Sequence, residues 1–462
     1  MSTELVTISP IDGRELLRRP YTSEADIARA LERAKAARRD WGARPLAERC
    51  AAVSAAVDRF VAGKAEAAEA ITRQMGRPLR YTPGEVNGFE ERARHMIAAA
   101  PEALAPIVLP RKDNFTRYID REPVGTVLTI APWNYPLLTA VNSIVPALVA
   151  GNTVLLKHSD QTPLCAELLV RAFTESGLPD GVFQYVHATH DTVGRLMRAP
   201  EIGYVSFTGS VFGGQAVEKA LAGRFIGAGL ELGGSDPAYV RTDADLEQAV
   251  ATLVDGAYFN SGQSCCGIQR IYVARQRYQE FVDRAAALTA QYVLGDPMSP
   301  DTTLGPVVRL AAAREIRGVV RDAIRQGARN LVNPAPFGAA RDDNAYVAPA
   351  LLVNVDHTMA VMNEECFGPV AGIMPVDSDE QAIGLMNDSH YGLTACVFTQ
   401  DADAAVRIGR QVETGTFFMN RCDYLDPGLA WTGVKNTGHG ISLSTLGYHA
   451  LTQAKSYHLR TL

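Results

Sequence analysis

The sequence predicts an α/β protein with two doubly wound domains. Three observations predict this class: the length, the composition, and the alternation of short β-branched runs with helical stretches. The chain has 462 residues, and at roughly 100 to 200 residues per domain this length suggests two or three domains. Apolar residues make up 47% and charged residues 21% of the chain, which is typical of a globular protein with a large core.

The N-terminal part of the chain is rich in Ala, Glu and Arg and predicts helices. Ser23 and Asp26 stand three residues apart, which is the spacing of a capping box at a helix N-terminus. The apolar residues at positions 27, 30, 31 and 34 then fall on one face of the predicted helix. We therefore expect a helical entry region before the first strand of the sheet.

From residue 124 onward, β-branched runs alternate with helical stretches, which indicates βαβ units and a mostly parallel sheet. The predicted strands of this first set cover residues 124–130, 153–156, 182–186 and 204–207. Residues 123–156 contain no Asp, Glu, Lys or Arg, so they resemble a membrane span in hydropathy. The prolines and asparagines inside the run favour a buried strand, a short helix and a second strand instead.

A second alternating set follows the motif Glu-Leu-Gly-Gly-Ser-Asp-Pro at residues 231–237. Its predicted strands lie near residues 238–240, 270–273, 351–355, 396–399 and 416–420. The Gly-Gly and Asp-Pro pairs predict a hinge between two α/β domains. We therefore expect a cleft between the two domains.

Charge and cysteine content exclude several classes of protein. The chain carries 45 Lys plus Arg against 51 Asp plus Glu, a net charge of -6, so neither nucleic acid nor a membrane surface is an expected partner. The start of the chain lacks the basic and apolar regions of a secretory signal, and we expect a cytoplasmic location. The 7 cysteines show no Cys-x-x-Cys spacing, so neither a disulfide framework nor a metal site is predicted.

One thiol and one acidic side chain stand out as candidates for chemistry. Cys265 lies in Phe-Asn-Ser-Gly-Gln-Ser-Cys-Cys at residues 259–266, where a Gly-rich turn and a backbone N–H beside the sulfur suit a nucleophile. Glu231 is an acidic residue in an otherwise Gly-rich and apolar turn. The alternatives are that Cys265 and Cys266 simply pack in the core and that Glu231 is solvated.

Together, the motifs at 231–237 and 259–266 resemble the two active-site signatures of the aldehyde dehydrogenase superfamily. The segments Pro-Trp-Asn-Tyr-Pro at 132–136, Phe-Thr-Gly-Ser-Val-Phe-Gly at 207–213 and Asn-Glu-Glu-Cys-Phe-Gly-Pro at 363–369 are also similar to motifs of that family. These similarities follow the family's chain order and extend over nearly the whole sequence.

The resemblance implies how the chain is divided into domains. It implies a Rossmann-like cofactor-binding domain at residues 1–103 and 123–233 and a Rossmann-like catalytic domain at 234–433. Residues 104–122 and 434–462 would form an oligomerisation arm and C-terminal segment. A homodimer or a homotetramer is therefore expected.

The resemblance also implies the roles of three catalytic residues in the oxidation of an aldehyde. Cys265 would attack the aldehyde carbon as a thiolate, and the Asn134 amide with the Cys265 backbone N–H would hold the resulting oxyanion. Glu231 would activate the water that hydrolyses the thioester to a carboxylic acid. The alternatives are a coenzyme A-acylating enzyme, in which a thiol takes the acyl group, and a binding or structural protein on the same fold.

The cofactor implied is NAD, with NADP as the alternative. The residues that would contact it are Trp133, Lys157, Asp160, Gly209, Ser210, Gly213, Glu365 and Phe367. Asp160 would accept hydrogen bonds from the adenosine ribose and repel a 2′-phosphate, which favours NAD. Each candidate has a simpler alternative: an exposed Lys157–Asp160 ion pair, a ligand-free strand-to-helix turn at 209–213, and a helix or turn charge at Glu365.

Substrate choice is predicted from the residues around the presumed mouth of the site. Residues 155–158 and 234–237 look like one bacterial branch of succinate-semialdehyde dehydrogenases. In many members of that branch, an Arg eight residues after the catalytic Asn grips the substrate carboxylate, but this chain has Asn142 there. The cavity would therefore lack the positive charge that a carboxylate requires.

Two acidic residues near the C-terminus strengthen that expectation. Asp423 and Asp426 are expected to add negative charge to the mouth and to repel a carboxylate. We therefore expect neutral or amino-aldehydes to be oxidised with higher kcat/KM than succinate semialdehyde. Arg421 is the residue that would reverse this preference if its side chain turned inward.

Overall fold

The computed structural model describes residues 3–461 of the chain. Met1, Ser2 and Leu462 lie outside it, so the first two residues used for the leader expectation and the last residue of the predicted C-terminal segment are not described. Within this range the chain forms two large sheets flanked by helices, a three-stranded sheet and two small two-stranded sheets.

The strands of the described residues are β1 (Glu4–Ile8), β2 (Glu15–Pro20), β3 (Ile107–Val108), β4 (Phe115–Pro123), β5 (Thr126–Ala131), β6 (Thr153–His158), β7 (Phe183–Tyr185), β8 (Ile202–Thr208), β9 (Gly227–Glu231), β10 (Asp236–Val240), β11 (Ile268–Ala274), β12 (Arg329–Asn330), β13 (Ala350–Val353), β14 (Val370–Val376), β15 (Tyr391–Gly392), β16 (Thr394–Phe398), β17 (Thr416–Met419), β18 (Val434–Lys435), β19 (Gly438–His439) and β20 (Thr452–Arg460).

The α-helices of the described residues are α1 (Glu24–Ala43), α2 (Leu46–Ala62), α3 (Lys64–Met75), α4 (Thr82–Ala103), α5 (Val141–Val149), α6 (Pro163–Glu175), α7 (His190–Arg198), α8 (Val211–Leu221), α9 (Leu246–Tyr258), α10 (Arg275–Thr289), α11 (Leu310–Arg325), α12 (Ala360–Asn363), α13 (Asp379–Asn387) and α14 (Ala402–Gly409).

The first large sheet has six strands in the order β19-β9-β8-β5-β6-β7. All of its pairings are parallel except the antiparallel pairing of β19 with β9. The four strands predicted between residues 124 and 207 are confirmed as β5, β6, β7 and β8. The uncharged run 123–156 forms β5, α5 and β6, as predicted. Among residues 3–461, no helix combines the length and apolar character needed to cross a bilayer.

The second large sheet has seven strands in the order β12-β13-β14-β11-β10-β16-β17. Its pairings are parallel apart from the antiparallel pairing of the edge strand β12 with β13. The five strands predicted after residue 237 are confirmed. Strand β14 lies between β13 and β11 and was not predicted, because Gly372 and Pro375 interrupt its apolar run and disguise a buried strand.

The three-stranded sheet pairs β20 with β4 along their whole length and β3 with β4. Strands β3 and β4 lie in or next to the segment 104–122 that was expected to form an arm, while the proposed domain boundaries stay a prediction. The capping box is confirmed, since the Ser23 hydroxyl accepts a hydrogen bond from the Asp26 backbone N–H at the start of α1. Ile27, Ala30 and Ala34 of α1 are buried, as the helical face predicted.

Candidate active site

A cavity of about 900 Å³ lies between helices α4 and α5, helix α9 and the segment that follows β17. Strand β9 brings Glu231 to this cavity from the six-stranded sheet, and the turn after α9 brings Cys265 from the other side of the molecule. The chain thus folds two motifs that lie far apart in the sequence around one space. Residues of both alternating sets line this cavity, and a cleft between two domains stays a prediction.

The Cys265 turn is built from unusual backbone conformations. A short 3-10 segment, Phe259–Gly262, contains Asn260 with φ 54° and Ser261 with φ 57°, both in the left-handed region. A Cβ on Gly262 would overlap the backbone oxygen of Gly368, so only glycine allows this close approach. The turn leaves Cys265 half-buried at the cavity surface.

Cys266 occupies a different environment from Cys265. Its thiol is buried and donates a hydrogen bond to Asp423, with 2.8 Å between Sγ and Oδ1. Its interaction with the Cys265 thiol, its burial and the nearby Asp423 charge raise the pKa of Cys266 well above its ordinary value. Cys266 therefore remains a protonated thiol, which fits the predicted role of a packed neighbour.

Asn134 is tied to the Cys265 turn by a buried polar network. The Asn134 side-chain amide donates to the backbone oxygen of Gln263 at 3.1 Å, and its backbone oxygen accepts from the Asn260 amide at 3.1 Å. The same Asn134 oxygen accepts from the Arg77 guanidinium, which forms a buried ion pair with Glu85. The network fixes the Asn134 amide relative to the turn, as an oxyanion donor requires.

Arg77, Glu85 and Asn260 were missed by the sequence reasoning. They are far from Asn134 in the chain, and only the packing of α4 against the turns brings them together. Asn260 lies inside the recognised motif, but its contact with Asn134 has no signature in the local sequence. The buried ion pair of Arg77 with Glu85, and its link to Asn134, are features of the tertiary structure.

Glu231 ends strand β9, is half-buried and lines the same cavity as Cys265. Its two carboxylate oxygens accept hydrogen bonds from Ser442 and, at 3.5 Å, from Thr208. Burial raises the pKa of Glu231, and the Ser442 hydrogen bond and the charge of Arg92 oppose that rise. A carboxylate whose pKa is raised is a stronger proton acceptor once it is ionised, which suits a general base. The Glu231 side chain is half-buried and hydrogen-bonded, so it is not a fully solvated turn residue.

The predicted cofactor turn joins β8 to α8. Ser210 caps the helix, because its hydroxyl accepts from the Gly213 N–H at 3.1 Å. A Cβ on Gly209 or Gly213 would lie 2.7 Å or 2.5 Å from the Phe207 ring, so both glycines make room for that ring. The exposed helix N-terminus offers backbone N–H groups to an anion, and its role toward a diphosphate stays a prediction.

Lys157 and Asp160 are brought together at the end of β6. The Lys157 ammonium lies 2.9 Å from Asp160 Oδ1, and the Tyr21 hydroxyl donates to Oδ2 at 2.9 Å. The alternative of an exposed ion pair holds only for Asp160, because the side-chain exposure is 6% for Lys157 and 40% for Asp160. Burial lowers the pKa of His158 to about 4, so this residue is neutral and its ring bonds the Pro136 oxygen at 2.9 Å.

Glu365 lies against the segment that connects β9 of the six-stranded sheet to β10 of the seven-stranded sheet. Its Oε1 accepts from the Gly234 N–H at 3.0 Å, and a Cβ on Gly233 would lie 2.5 Å from its Oε2. Burial raises the pKa of Glu365 to about 7. Trp133 and Phe367 meet edge to face with 5.5 Å between ring centroids. The structure brings these predicted contacts together, and their roles toward a nicotinamide ribose stay a prediction.

The residues expected at the substrate mouth are only partly found there. Asp423 lines the cavity, but Asp426 does not, because its carboxylate accepts from the Gly428 N–H at 2.8 Å in a local turn. The Arg421 guanidinium is 3.5 Å from the centre of the Tyr424 ring and is absent from the cavity lining. The cation that lines the cavity is Arg92 of α4, which the sequence reasoning did not consider.

Residues 1–457 match the model of the family described as Aldehyde dehydrogenase family. The chain belongs to the aldehyde dehydrogenase family. This family member is 34% identical over 455 residues to a protein of Escherichia coli (strain K12), succinate semialdehyde dehydrogenase [NAD(P)+] Sad, covering 97% of this chain and 96% of that protein.

Two further proteins place this aldehyde dehydrogenase among its relatives. It is 36% identical over 452 residues to the succinate-semialdehyde dehydrogenase [NADP(+)] of Deinococcus radiodurans, covering 97% of this chain and 93% of the relative. The crystal structure of succinic semialdehyde dehydrogenase from Streptococcus pyogenes in complex with NADP+ superposes with TM-score 0.93 and 27% identity, covering 99% of this chain and 100% of that chain. The predicted α/β fold class is thus confirmed.

Proposed function

We propose that this protein oxidises an aldehyde to a carboxylic acid with NAD or NADP, through a covalent intermediate on Cys265. The observation that carries the proposal is the arrangement of one cavity. Cys265 and the half-buried base candidate Glu231 line the same space, and the Asn134 amide donates a hydrogen bond to the turn that carries Cys265. A nucleophile, a base and an oxyanion donor are the groups that this reaction needs.

The first step assigned to the chain is attack on the aldehyde. The Cys265 thiolate forms a bond to the carbonyl carbon, and the carbonyl π electrons move to oxygen. Asn134 uses one amide hydrogen for the Gln263 oxygen, and its second hydrogen can stabilise the oxyanion. The product of this step is a thiohemiacetal on Cys265.

The residues proposed to hold the cofactor are the α8 N-terminus with Gly209, Ser210 and Gly213, the Lys157–Asp160 pair, and Glu365 with Phe367 and Trp133. The exposed backbone N–H groups of α8 fit a diphosphate, and the carboxylates of Asp160 and Glu365 fit ribose hydroxyls. When bound, NAD or NADP would supply the hydride acceptor of the reaction. The named relatives use NAD(P)+ or NADP(+).

The last step assigned to the chain is hydrolysis of the thioester. Glu231 takes a proton from water, the resulting hydroxide adds to the acyl carbon, and the carbon–sulfur bond breaks to release the acid and the Cys265 thiolate. Ser442 and Thr208 orient the Glu231 carboxylate for this proton transfer. A base at Glu231 favours water over coenzyme A as the acyl acceptor, since transfer of the acyl group to a thiol has no need of a water-activating base.

The test is a panel of aldehydes incubated with NAD or NADP and without coenzyme A, followed by absorbance of the reduced nicotinamide. We expect activity with at least one aldehyde and release of the free acid. Activity that appears only when coenzyme A is added would establish the acylating alternative. Cofactor binding without turnover of any aldehyde would favour a binding protein on the same fold.

A further inference from the structure

Arg92 places a guanidinium inside the active-site cavity. It lies on α4, is only 8% exposed and lines the same cavity as Cys265 and Glu231. Its Nη1 donates to the Leu138 backbone oxygen at 2.7 Å and to Asn142 Oδ1 at 3.3 Å. A guanidinium has five N–H donors, and within residues 3–461 no protein acceptor is found for those on Nε and Nη2.

Asn142 contributes a second unused donor beside Arg92. Its side chain is 5% exposed and lines the same cavity. Because Oδ1 accepts from Arg92, the amide is oriented with Nδ2 as the free end, and this buried Nδ2 has no hydrogen-bond partner in the described part of the chain. A buried donor without an acceptor is costly in a folded protein, so its presence in a cavity points to a bound group that accepts.

Among residues 3–461, no carboxylate forms a direct ion pair with Arg92. The carboxylates whose charges act on it accept hydrogen bonds from other groups: Glu231 from Ser442 and Thr208, Glu85 from Arg77, and Glu91 from Tyr424. Burial lowers the pKa of Arg92, and the more distant Glu231 charge acts in the opposite direction. An arginine remains charged even so, and a buried charge without an ion-pair partner favours an anionic ligand.

The acidic residue that was expected to repel an anion is itself bonded. Asp423 Oδ1 accepts from the Cys266 thiol at 2.8 Å and from the Ser264 hydroxyl at 3.3 Å. Burial raises the pKa of Asp423 to about 6, so part of its negative charge is lost just below neutral pH. With Asp426 outside the cavity, the acidic residues in the lining are Glu91, Glu231, Asp255 and Asp423, and Glu91 accepts from the Tyr424 hydroxyl at 3.0 Å.

We propose that Arg92 and Asn142 form a subsite for the carboxylate at the far end of the substrate. The guanidinium offers Nε and Nη2 and the amide offers Nδ2, three donors that suit the two oxygens of a carboxylate. The substrate class is then the half-aldehydes of short dicarboxylic acids. This inference rests on the proposed function and replaces the expectation of neutral aldehydes. Arg92 supplies, from another helix, the charge that Asn142 lacks.

The test compares one substrate with and without its charge. Succinate semialdehyde and its methyl ester are each assayed with the unmodified protein, Arg92→Gln, Arg92→Lys and Asn142→Leu, and the acid-to-ester ratio of kcat/KM is taken for each protein. We expect the ratio to fall between about tenfold and a hundredfold in Arg92→Gln, because a hydrogen bond to a charged group is lost. Arg92→Lys keeps the charge, so its acid-to-ester ratio should fall less. The ratio of Asn142→Leu should also fall by a smaller factor than the ratio of Arg92→Gln.

The matched control is Arg94→Gln on the same helix, where Arg94 forms an exposed ion pair with Asp58. This change should leave the ratio within about twofold of the unmodified protein, since an exposed ion pair contributes little. An unchanged ratio in both Arg92→Gln and Asn142→Leu would overturn the subsite. Equal loss with both substrates would assign Arg92 a structural or base-tuning role instead.

A binding measurement separates this inference from the proposed function. Calorimetry with succinate on the Cys265→Ser protein should show binding that Arg92→Gln weakens at least about tenfold, in line with the loss of a charge-assisted hydrogen bond. Absence of succinate binding would count against the subsite even if aldehydes are oxidised. If the unmodified protein oxidises no aldehyde of the panel, the proposed function is refuted and the binding result stands alone. If Arg92→Gln does not fold, Asn142→Leu carries both measurements.

Discussion

Adjacent cysteines at 265 and 266 face different surroundings, and this difference decides which one can react. Cys265 lies at the cavity surface, whereas the Cys266 thiol is buried and donates to Asp423. The sequence cannot distinguish them by residue type. The left-handed turn at Asn260 and Ser261 sets which side chain reaches the cavity.

Replacing each cysteine tests that assignment. We expect Cys265→Ala to abolish aldehyde oxidation while NAD binding persists, because the nucleophile is lost and the cofactor residues are untouched. Cys266→Ser keeps a hydroxyl donor for Asp423 and should retain most of the activity. Both are measured by steady-state turnover and by cofactor titration. Equal loss of activity in the two variants would contradict the assignment.

Glu231→Gln tests the base at the residue scale. The amide preserves the shape and can still accept from Ser442, but it cannot take a proton from water. We expect deacylation to slow more than acylation, so rapid mixing should show a burst of reduced nicotinamide close to one per active site, followed by slow turnover. If no burst appears, Glu231 has another role or a later step limits turnover.

At the scale of single elements, strand β10 carries a buried acid at the start of the seven-stranded sheet. Asp236 accepts from the Thr394 backbone N–H at 3.1 Å and from the Thr394 hydroxyl. Burial raises the pKa of Asp236 from 3.8 to about 8. The acid thus holds strands β10 and β16 together, and its ionised form is unfavourable in the folded state.

The pH dependence of stability follows from that shift. Between the unfolded value of 3.8 and the folded value of about 8, the folded state binds the Asp236 proton more tightly than the unfolded state does. The contribution of Asp236 to stability is therefore full below pH 3.8 and lost as the pH rises toward 8. Asp236→Asn can keep both Thr394 contacts without this loss. We expect its Tm advantage over the unmodified protein to grow from pH 5 to pH 8, and an advantage that is constant with pH would contradict the assignment.

The cofactor preference that we predict depends on Asp160, which lies just after strand β6. We expect a higher kcat/KM with NAD than with NADP, because the Asp160 carboxylate would accept ribose hydroxyls and repel a 2′-phosphate. Lys157 and Tyr21 already bond this carboxylate, which reduces its free charge. Asp160→Ala should lower the NAD-to-NADP ratio of kcat/KM. Equal values for the two cofactors in the unmodified protein would show that this carboxylate does not discriminate.

At the scale of the whole molecule, the three-stranded sheet has an exposed apolar edge. Strand β3 is an edge strand, and the exposed fractions of Ile107 and Val108 are 50% and 76%. Exposed apolar side chains on an edge strand are typical of an interface between subunits. We therefore keep the prediction of a homodimer or homotetramer in which the arm contacts another copy of the chain.

A charge at this edge tests the prediction. We expect Val108→Lys to lower the molar mass measured by light scattering, because a buried charge destabilises an apolar interface. The matched control is Val406→Lys on α14, where the side chain is 53% exposed away from the arm. A monomeric unmodified protein would refute the oligomer, and an unchanged mass in Val108→Lys would show that the interface lies elsewhere.

The sequence by itself determined the fold class, most strands of the two large sheets, and the family to which the chain belongs. These features can be predicted from local sequence, because apolar runs, turn residues and short motifs depend on residues that are close together in the chain. Strand β14 was missed because its glycine and proline hide the burial that its neighbours impose. The choice of Cys265, Glu231 and Asn134 likewise came from motifs, but the hydrogen bond from Asn134 to the Cys265 turn is seen only in the structure.

Only the tertiary structure decided which charges line the cavity. Asp426 and Arg421 are close to Asp423 in the sequence but turn away, into a local turn and onto the Tyr424 ring. Arg92 enters from α4, where the sequence shows only one charged residue among many on a helix. The physical reason is that an ion's effect depends on distance and burial in space, and helix packing sets both without leaving a pattern in the chain.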